Sequence, residues 1–213
     1  MAWNNRWKFE RDWPAMKVEL LSPGTDGWPG AVRMLNQRLN TRYLAPINQM
    51  HSDMDGEGFA IMTILCSLIE FLAALRLGLE YEYGWPPQQF GHNSKYGQSG
   101  RLYKEFLCNV QPFAAVFDDP NDPNQPKAAA FWSSVRNGLL HEGQTKDGWR
   151  IRVANRKQAA LAVNFTPGAS IVYRDLFLDL TRTYIATYCN DLLTTAQLQG
   201  AFIRKFDHLH RHM

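Results

Sequence analysis

The feature of this chain that most constrains its fold is one long apolar segment, residues 59–79. Glu70 and Arg76 interrupt it, so it contains no uncharged stretch of roughly 18 residues, the minimum expected for a membrane-spanning helix. A helix that is apolar all round and too charged for a bilayer is typical of a protein interior. The segment therefore predicts a buried core helix and no membrane span.

Size and composition predict one folded domain. The 213 residues, of which 45% are hydrophobic and 13% aromatic, suffice for a single sizeable core over 1–213, with an N-terminal helical extension over about 1–55. Cys66, Cys108 and Cys189 are widely spaced and odd in number, which favours reduced thiols over a disulfide framework. The polar, aromatic N-terminus has no apolar signal core. We therefore expect a cytoplasmic protein.

Hydrophobic spacing predicts several further helices. Trp28-Pro29 opens one of them, because proline suits the first helical turn. Another ends or bends at Pro112. A final long helix is predicted to carry Ile171, Val172, Leu176, Leu180, Tyr184, Ile185 and Tyr188, and a shorter one follows from about Gln197.

Two short segments between the helices are typical of strands. Residues 149–153 and 160–165 are rich in β-branched and aromatic residues, and Pro167-Gly168 ends the second. They predict a β-hairpin over about 149–165. The fold class expected from the sequence is therefore all-α, a helical bundle with one inserted hairpin.

A helix beginning at Pro126 carries the most informative residues. Its apolar positions recur at helical spacing: Ala128, Phe131, Trp132, Val135 and Leu139. Arg136, Asn137 and His141 lie in its last turns, before the terminator Gly143. In an ideal α-helix Asn137 and His141 share a face, whereas Arg136 points about 140° away from His141. The long arginine side chain closes much of that gap.

These residues resemble the Arg-x4-6-His signature of the HEPN superfamily, small all-α domains of which many are metal-independent ribonucleases. The stretch Val135-Arg136-Asn137-Gly138-Leu139-Leu140-His141-Glu142, followed by Thr145-Lys146-Asp147-Gly148-Trp149, looks like one branch of prokaryotic stand-alone HEPN proteins. The resemblance implies a HEPN-like bundle whose motif helices pair in a homodimer around a shared cleft. It also implies a toxin or phage-defence effector.

The motif residues suit RNA cleavage by the 2′-hydroxyl. His141 can act as general acid or base, because histidine titrates near neutral pH. Arg136 offers a planar, permanently charged fork for the phosphate oxygens. We expect both to be catalytic and Asn137 to support them. The alternatives are a helix-end or capping role for His141 and a surface salt bridge for Arg136.

Other residues near the motif have supporting roles or structural ones. Glu70 lies within the apolar segment, where an unpaired carboxylate would be unfavourable. It is a candidate partner for Arg136 or His141, or else forms a structural ion pair with Arg136 or Arg76. Ser67, one turn earlier, is a weaker candidate of the same kind. Gly138 is expected to leave room for another backbone or a phosphate.

Positive charge is concentrated in the second half of the chain. Residues 101–213 hold 14 Lys and Arg against 10 Asp and Glu, whereas residues 1–100 hold 9 against 10. In the predicted hairpin, Arg150, Arg152, Arg156 and Lys157 are candidate RNA-binding residues, because phosphate contacts need cations. The alternative is a solvated, charged strand edge that guards against aggregation.

A metal or cofactor is not predicted. His208, His210 and His212 alternate at the C-terminus, but no carboxylate or cysteine nearby completes a spaced ligand set. The chain also has no phosphate-binding glycine motif and no Cys-x-x-Cys pair.

The sequence is compatible with three functions. The first is a metal-independent endoribonuclease that acts on RNA, with a possible antitoxin or regulatory protein as partner. The second is a HEPN domain that binds RNA or a partner protein without cleavage. The third is a metal-dependent hydrolase that uses the C-terminal histidines.

Overall fold

The chain is built mainly from helices. The computed structural model describes residues 8–50, 57–119, 126–155 and 161–212, with 69% helix and 6% strand. The all-α class expected from the hydrophobic spacing is therefore confirmed.

Most of the helices begin and end close to the predicted positions. The α-helices are α1 Phe9–Leu21, α2 Trp28–Leu39, α3 Ala45–Met50, α4 Glu57–Leu77, α5 Ser99–Asn109, α6 Ala114–Phe117, α7 Pro126–Ala130, α8 Arg174–Leu192 and α9 Ala196–Arg211. A π-helical segment, Asn40–Leu44, connects α2 to α3, and a second π-helix, Phe131–Glu142, continues α7. Pro29 lies in the first turn of α2 as expected.

Helix α4 is the predicted core helix. In the described part of the chain it is the one helix long and apolar enough to cross a membrane by length and composition. However, 61% of its most apolar window is buried inside the protein, as expected of a core helix. Leu65, Leu68, Ile69 and Leu72 are among its fully or almost fully buried side chains.

The strands occur near the predicted positions, but they do not form the predicted hairpin. Strands β3 Arg150–Arg152 and β4 Val163–Asn164 both pair with β5 Ile171–Tyr173, in the order β3-β5-β4. The β3–β5 pairing is parallel and the β4–β5 pairing is antiparallel. A separate pair, β1 Glu80–Tyr81 and β2 Lys95–Tyr96, is parallel.

The predicted hairpin and the predicted start of the last long helix are wrong for the same reason. Both predictions missed the strand β5. Ile171 and Val172 were predicted to lie in the last long helix, but they belong to β5, and α8 begins only at Arg174. Val172 is fully buried and pairs with Ile151 on one side and Val163 on the other. A buried β-branched segment suits the centre of a small sheet, and periodicity alone does not distinguish it from the first turn of a helix.

Contacts within the chain define two compact units. The first comprises Met1–Pro46, Ala74–Gly97 and Thr187–Met213, and the second comprises Ile47–Ala73 and Gln98–Ala186. Each unit combines segments that are distant in the sequence, so the division gives no simple domain boundary. The single domain over 1–213, with its N-terminal extension, stays a prediction.

Each unit has an aromatic core. In the first unit, Trp13 of α1 packs against Phe202 and Phe206 of α9, whose rings stack with centroids 4.3 Å apart. In the second unit, Phe131 stacks on Phe177 of α8 with centroids 5.3 Å apart. Phe131 is the first residue of the second π-helix, so this core fixes the helix that carries Arg136 and His141.

Candidate active site

The candidate catalytic residues lie on the π-helix Phe131–Glu142, called the motif helix below. Hydrogen bonds of a π-helix join residues five apart, so side chains at i and i+5 point in similar directions. Arg136 and His141 are separated by five positions. The α-helical register assumed from the sequence is therefore wrong here, and the observed register brings this pair closer to one face. π-Helical turns are rare in proteins overall, but where they occur they often lie at a functional site.

Arg136 is held by two oxygen acceptors within the second unit. Its Nη2 atom donates to Oε2 of Glu70 on α4 over 2.7 Å, and its Nη1 atom donates to Oδ1 of Asn137 over 2.9 Å. The side chains of Arg136 and Glu70 are only 14% and 19% exposed. The Arg136 Nε atom is buried and has no hydrogen-bond acceptor among the described residues. The guanidinium is thus fixed in orientation and largely buried.

Glu70 is the partner of Arg136, one of the alternatives that the sequence left open. The charge-assisted contact satisfies a carboxylate that an apolar helix would otherwise leave unpaired. Ser67 differs, because its side chain lies on an exposed face of α4. No hydrogen bond joins Ser67 to the motif helix in the part of the chain described, so its supporting role gains nothing from the structure.

Two buried side chains that the sequence analysis did not assign to the site adjoin the ion pair. Burial raises the pKa of the Cys66 thiol on α4 to about 12, although the nearby Arg136 charge acts in the opposite direction. Burial also raises the pKa of Tyr103 on α5 well above its usual value, and the neighbouring Cys66 adds to the shift. Both groups are therefore neutral at physiological pH. Cys66 and Glu70 are four residues apart on α4, a spacing that points to a shared face.

His141 is exposed to solvent near the end of the motif helix. No hydrogen bond to its ring is found among the described residues. The ring therefore makes no capping contact in the described part of the chain, and a surface position at the helix end stays the structural alternative. The exposed ring remains accessible to a substrate or a second chain.

Gly138 is packed against its own chain. A methyl group at this position would lie 2.5 Å from the carbonyl oxygen of Gln144 and 3.3 Å from the Cα atom of Thr145. The Gly138 carbonyl accepts hydrogen bonds from the amides of Gly143, which has a left-handed φ of 65°, and Gln144. The expectation that Gly138 leaves room for another backbone is therefore met within the chain itself: residues 143–149, the return loop, occupy that space and leave none for a phosphate.

The return loop is tied to the motif helix by polar contacts. The hydroxyl of Ser134 donates to Oδ2 of Asp147 over 2.5 Å, and the amide of Lys146 donates to the Ser134 carbonyl over 2.9 Å. Trp149, the last residue of the loop, packs edge-on against Phe131. The loop thus connects the end of the motif helix directly to β3.

Strand β3 presents arginines to solvent, as expected. Arg150 and Arg152 are exposed, whereas Ile151 between them is half-buried. In a longer strand Val153 would share the inward face of Ile151, but it is 58% exposed because β3 ends one residue earlier. The candidate RNA-binding residues Arg156 and Lys157 lie outside the described residues.

The C-terminal histidines do not form a metal site in the described part of the chain. Two of the three histidines contact the same carboxylate, that of Glu80. His208 Nδ1 lies 2.9 Å from Oε2 of Glu80, and His212 Nε2 lies 2.6 Å from Oε1 of the same residue. Among the described residues, no group of three or more His, Cys, Asp or Glu side chains is arranged to hold a metal ion.

Comparison of the chain with protein-family models, curated proteins and solved structures finds no match. A functional assignment therefore depends on the residues and geometry of the motif helix and its neighbours.

Proposed function

We propose that this chain is an endoribonuclease of the HEPN type that cleaves RNA without a metal ion. The observation that carries the proposal is the motif helix itself. It holds Arg136 in a fixed orientation through Glu70, and its π-helical register brings the exposed His141 toward the same face. Asn137 supports Arg136 from the adjacent position.

The proposed reaction is a transesterification. The RNA 2′-oxygen attacks the adjacent phosphorus, a new 2′-oxygen–phosphorus bond forms, and the bond to the 5′-oxygen breaks. A base accepts the 2′-hydroxyl proton, and an acid gives a proton to the leaving 5′-oxygen. The products carry a 2′,3′-cyclic phosphate and a 5′-hydroxyl. His141 exchanges one of these protons. Arg136 stabilises the negative charge that develops on the phosphate.

Several further roles belong to the same proposal. Arg150 and Arg152 bind the phosphates that flank the scissile bond, with Arg156 and Lys157 as additional candidates. The protein acts in the cytoplasm as a toxin or phage-defence effector under the control of an antitoxin or regulatory protein. The active form is a homodimer with a shared cleft, since the motif helix carries one histidine, His141, for two proton transfers.

A non-catalytic RNA-binding domain is the second candidate. Arg136 is 14% exposed and paired with Glu70, so in the isolated chain its charge is already neutralised. This observation favours a structural role for Arg136. In that case Arg150 and Arg152 bind RNA, and the chain does not cleave it.

Labelled single-stranded RNA incubated with the full chain in EDTA distinguishes these functions. Cleavage to 5′-hydroxyl products in EDTA supports the ribonuclease, and loss of products when the attacking 2′-hydroxyl is replaced by hydrogen supports its mechanism. RNA binding without cleavage supports the second candidate. Cleavage that EDTA abolishes and that His212→Ala weakens would support a metal-dependent hydrolase instead.

A further inference from the structure

The first compact unit contains a pocket with an excess of basic side chains. Its volume is about 350 Å³, within the range of small-molecule sites. Lys17 of α1, Arg204 and Arg211 of α9, and polar residues of the segment between β1 and β2 line it. Arg136 and His141 do not, so the pocket is independent of the proposed ribonuclease site.

Helix α9 supplies most of the charge. Arg204, His208 and Arg211 all line the pocket and follow the i, i+4, i+7 spacing of one helical face. Burial lowers the pKa of His208, so the permanent positive charges on this face are those of Arg204 and Arg211. The negative dipole end of the helix disfavours anions near its last turn, and the two arginine charges offset that local disadvantage.

Nearby carboxylates compensate only part of this charge. Asp207, the one carboxylate among the described lining residues, accepts hydrogen bonds from Lys17 Nζ over 2.7 Å and from Trp13 Nε1 over 3.0 Å. Glu80 lies beside the pocket and contacts His208, with Arg211 Nη2 farther away at 3.6 Å. Arg204 has no acidic partner among the described residues, and its Nη2 atom donates to the Leu77 carbonyl over 3.2 Å.

The segment between β1 and β2 adds neutral polar groups. Asn93 and Ser94 both line the pocket, and both have left-handed backbone conformations, with φ of 51° and 58°. Residues other than glycine adopt this conformation rarely, and such positions are enriched at ligand sites. Their side chains offer hydrogen bonds opposite the arginines of α9.

We propose that this pocket binds a phosphate monoester. Arginine guanidinium groups match the oxygens of phosphate in shape and charge, and Lys17 adds a compact positive charge. Asn93 and Ser94 contribute neutral donors to the remaining oxygens. The phosphate belongs to a free nucleotide or to the 5′ end of an RNA strand, which share this chemistry.

Titration calorimetry on the full chain tests the pocket. The probes are inorganic phosphate, adenosine monophosphate, and a short RNA with either a 5′-phosphate or a 5′-hydroxyl. We expect Arg204→Ala/Arg211→Ala to weaken phosphate-monoester binding at least 10-fold. Arg33→Ala, which removes an exposed arginine of α2 that does not line the pocket, should leave binding unchanged.

The four probes distinguish the two sources. Binding of adenosine monophosphate supports a free nucleotide, whereas binding of 5′-phosphorylated RNA alone supports an RNA end. The proposal is overturned if no phosphate monoester binds at millimolar concentration, or if the double variant binds as tightly as the unmodified chain. Circular dichroism on each variant shows that a loss of binding does not come from unfolding.

Discussion

At the scale of single residues, Arg136 and Glu70 form the contact on which the candidate site depends. Both side chains are largely shielded from water and lie 2.7 Å apart. Removal of one partner from such a pair leaves the other charge poorly solvated, which is more unfavourable than loss of an exposed salt bridge. Arg136 is therefore structural as well as chemically suited to phosphate.

We expect Arg136→Ala and Glu70→Ala to be strongly coupled in a double-mutant cycle. Each single variant should lower the free energy of unfolding by about 1–3 kcal/mol, and the double variant should lower it by less than the sum. Urea unfolding measures all three variants. The exposed pair Arg182 and Asp179, at 3.4 Å, is the control and should show coupling below about 0.5 kcal/mol. Additive effects at Arg136 and Glu70 would show that the contact does not hold the arginine.

The two members of this pair can be predicted from the sequence, but their surroundings cannot. The resemblance to the HEPN motif singled out Arg136, and a lone carboxylate in an apolar helix singled out Glu70. Cys66 and Tyr103 were not assigned to the site, because a buried cysteine and a buried tyrosine are ordinary core residues in any sequence. Ser67, three residues before Glu70, lies on an exposed face of α4, so its supporting role stays a prediction.

At the scale of secondary-structure elements, the motif helix and the return loop act as one unit. Pro126 and Gly143 mark the beginning of α7 and the end of the motif helix, as the sequence predicted. The π-helical register was not predicted, because apolar residues three and four positions apart suit both registers. The sheet order was also missed, since pairing between distant strands leaves no local pattern.

We expect Gly138→Ala to destabilise the protein, although alanine favours helix more than glycine does. The added methyl group would meet the Gln144 carbonyl and push the return loop away, at a net loss of about 1–3 kcal/mol. Thermal unfolding measures the change. Gly200→Ala on α9 is the control, because its methyl group would meet Arg204 at an ordinary 3.5 Å. That variant should gain up to about 1 kcal/mol. A stabilised Gly138→Ala protein would contradict the packing of the return loop.

We expect Arg150→Glu/Arg152→Glu to weaken RNA binding and to flatten its dependence on salt. Each phosphate contact contributes to the slope of affinity against salt concentration, so two lost contacts lower that slope by roughly 2. Fluorescence anisotropy at several salt concentrations measures both quantities. Arg33→Glu, which reverses an exposed charge on α2, is the control. An unchanged slope in the β3 variant would leave these arginines with a role in solubility only.

At the scale of the whole molecule, the proposal requires a second copy of the chain. His141 is exposed, and the motif helix carries no second histidine for the two proton transfers of the reaction. Gly138 offers no room for a second copy of the chain, because the return loop covers it. The shortage of acid–base groups remains the argument for a shared cleft.

We therefore expect a homodimer at the concentrations at which the protein cleaves RNA. Sedimentation equilibrium should give twice the mass of the chain, and dilution below the dimer dissociation constant should reduce the rate per chain. A monomer with full activity would contradict the shared cleft without affecting the assignment of Arg136 and His141.

The rate of RNA cleavage in EDTA by His141→Ala tests the central claim most directly. His141 is exposed, so its truncation should leave the melting temperature within the error of the unmodified protein. Loss of its proton transfer should lower the single-turnover rate roughly 10²–10⁴-fold. His212→Ala, which removes another exposed histidine, should cleave at the normal rate. If His141→Ala cleaves RNA as fast as the unmodified chain in a preparation free of other nucleases, the motif helix is not the active site.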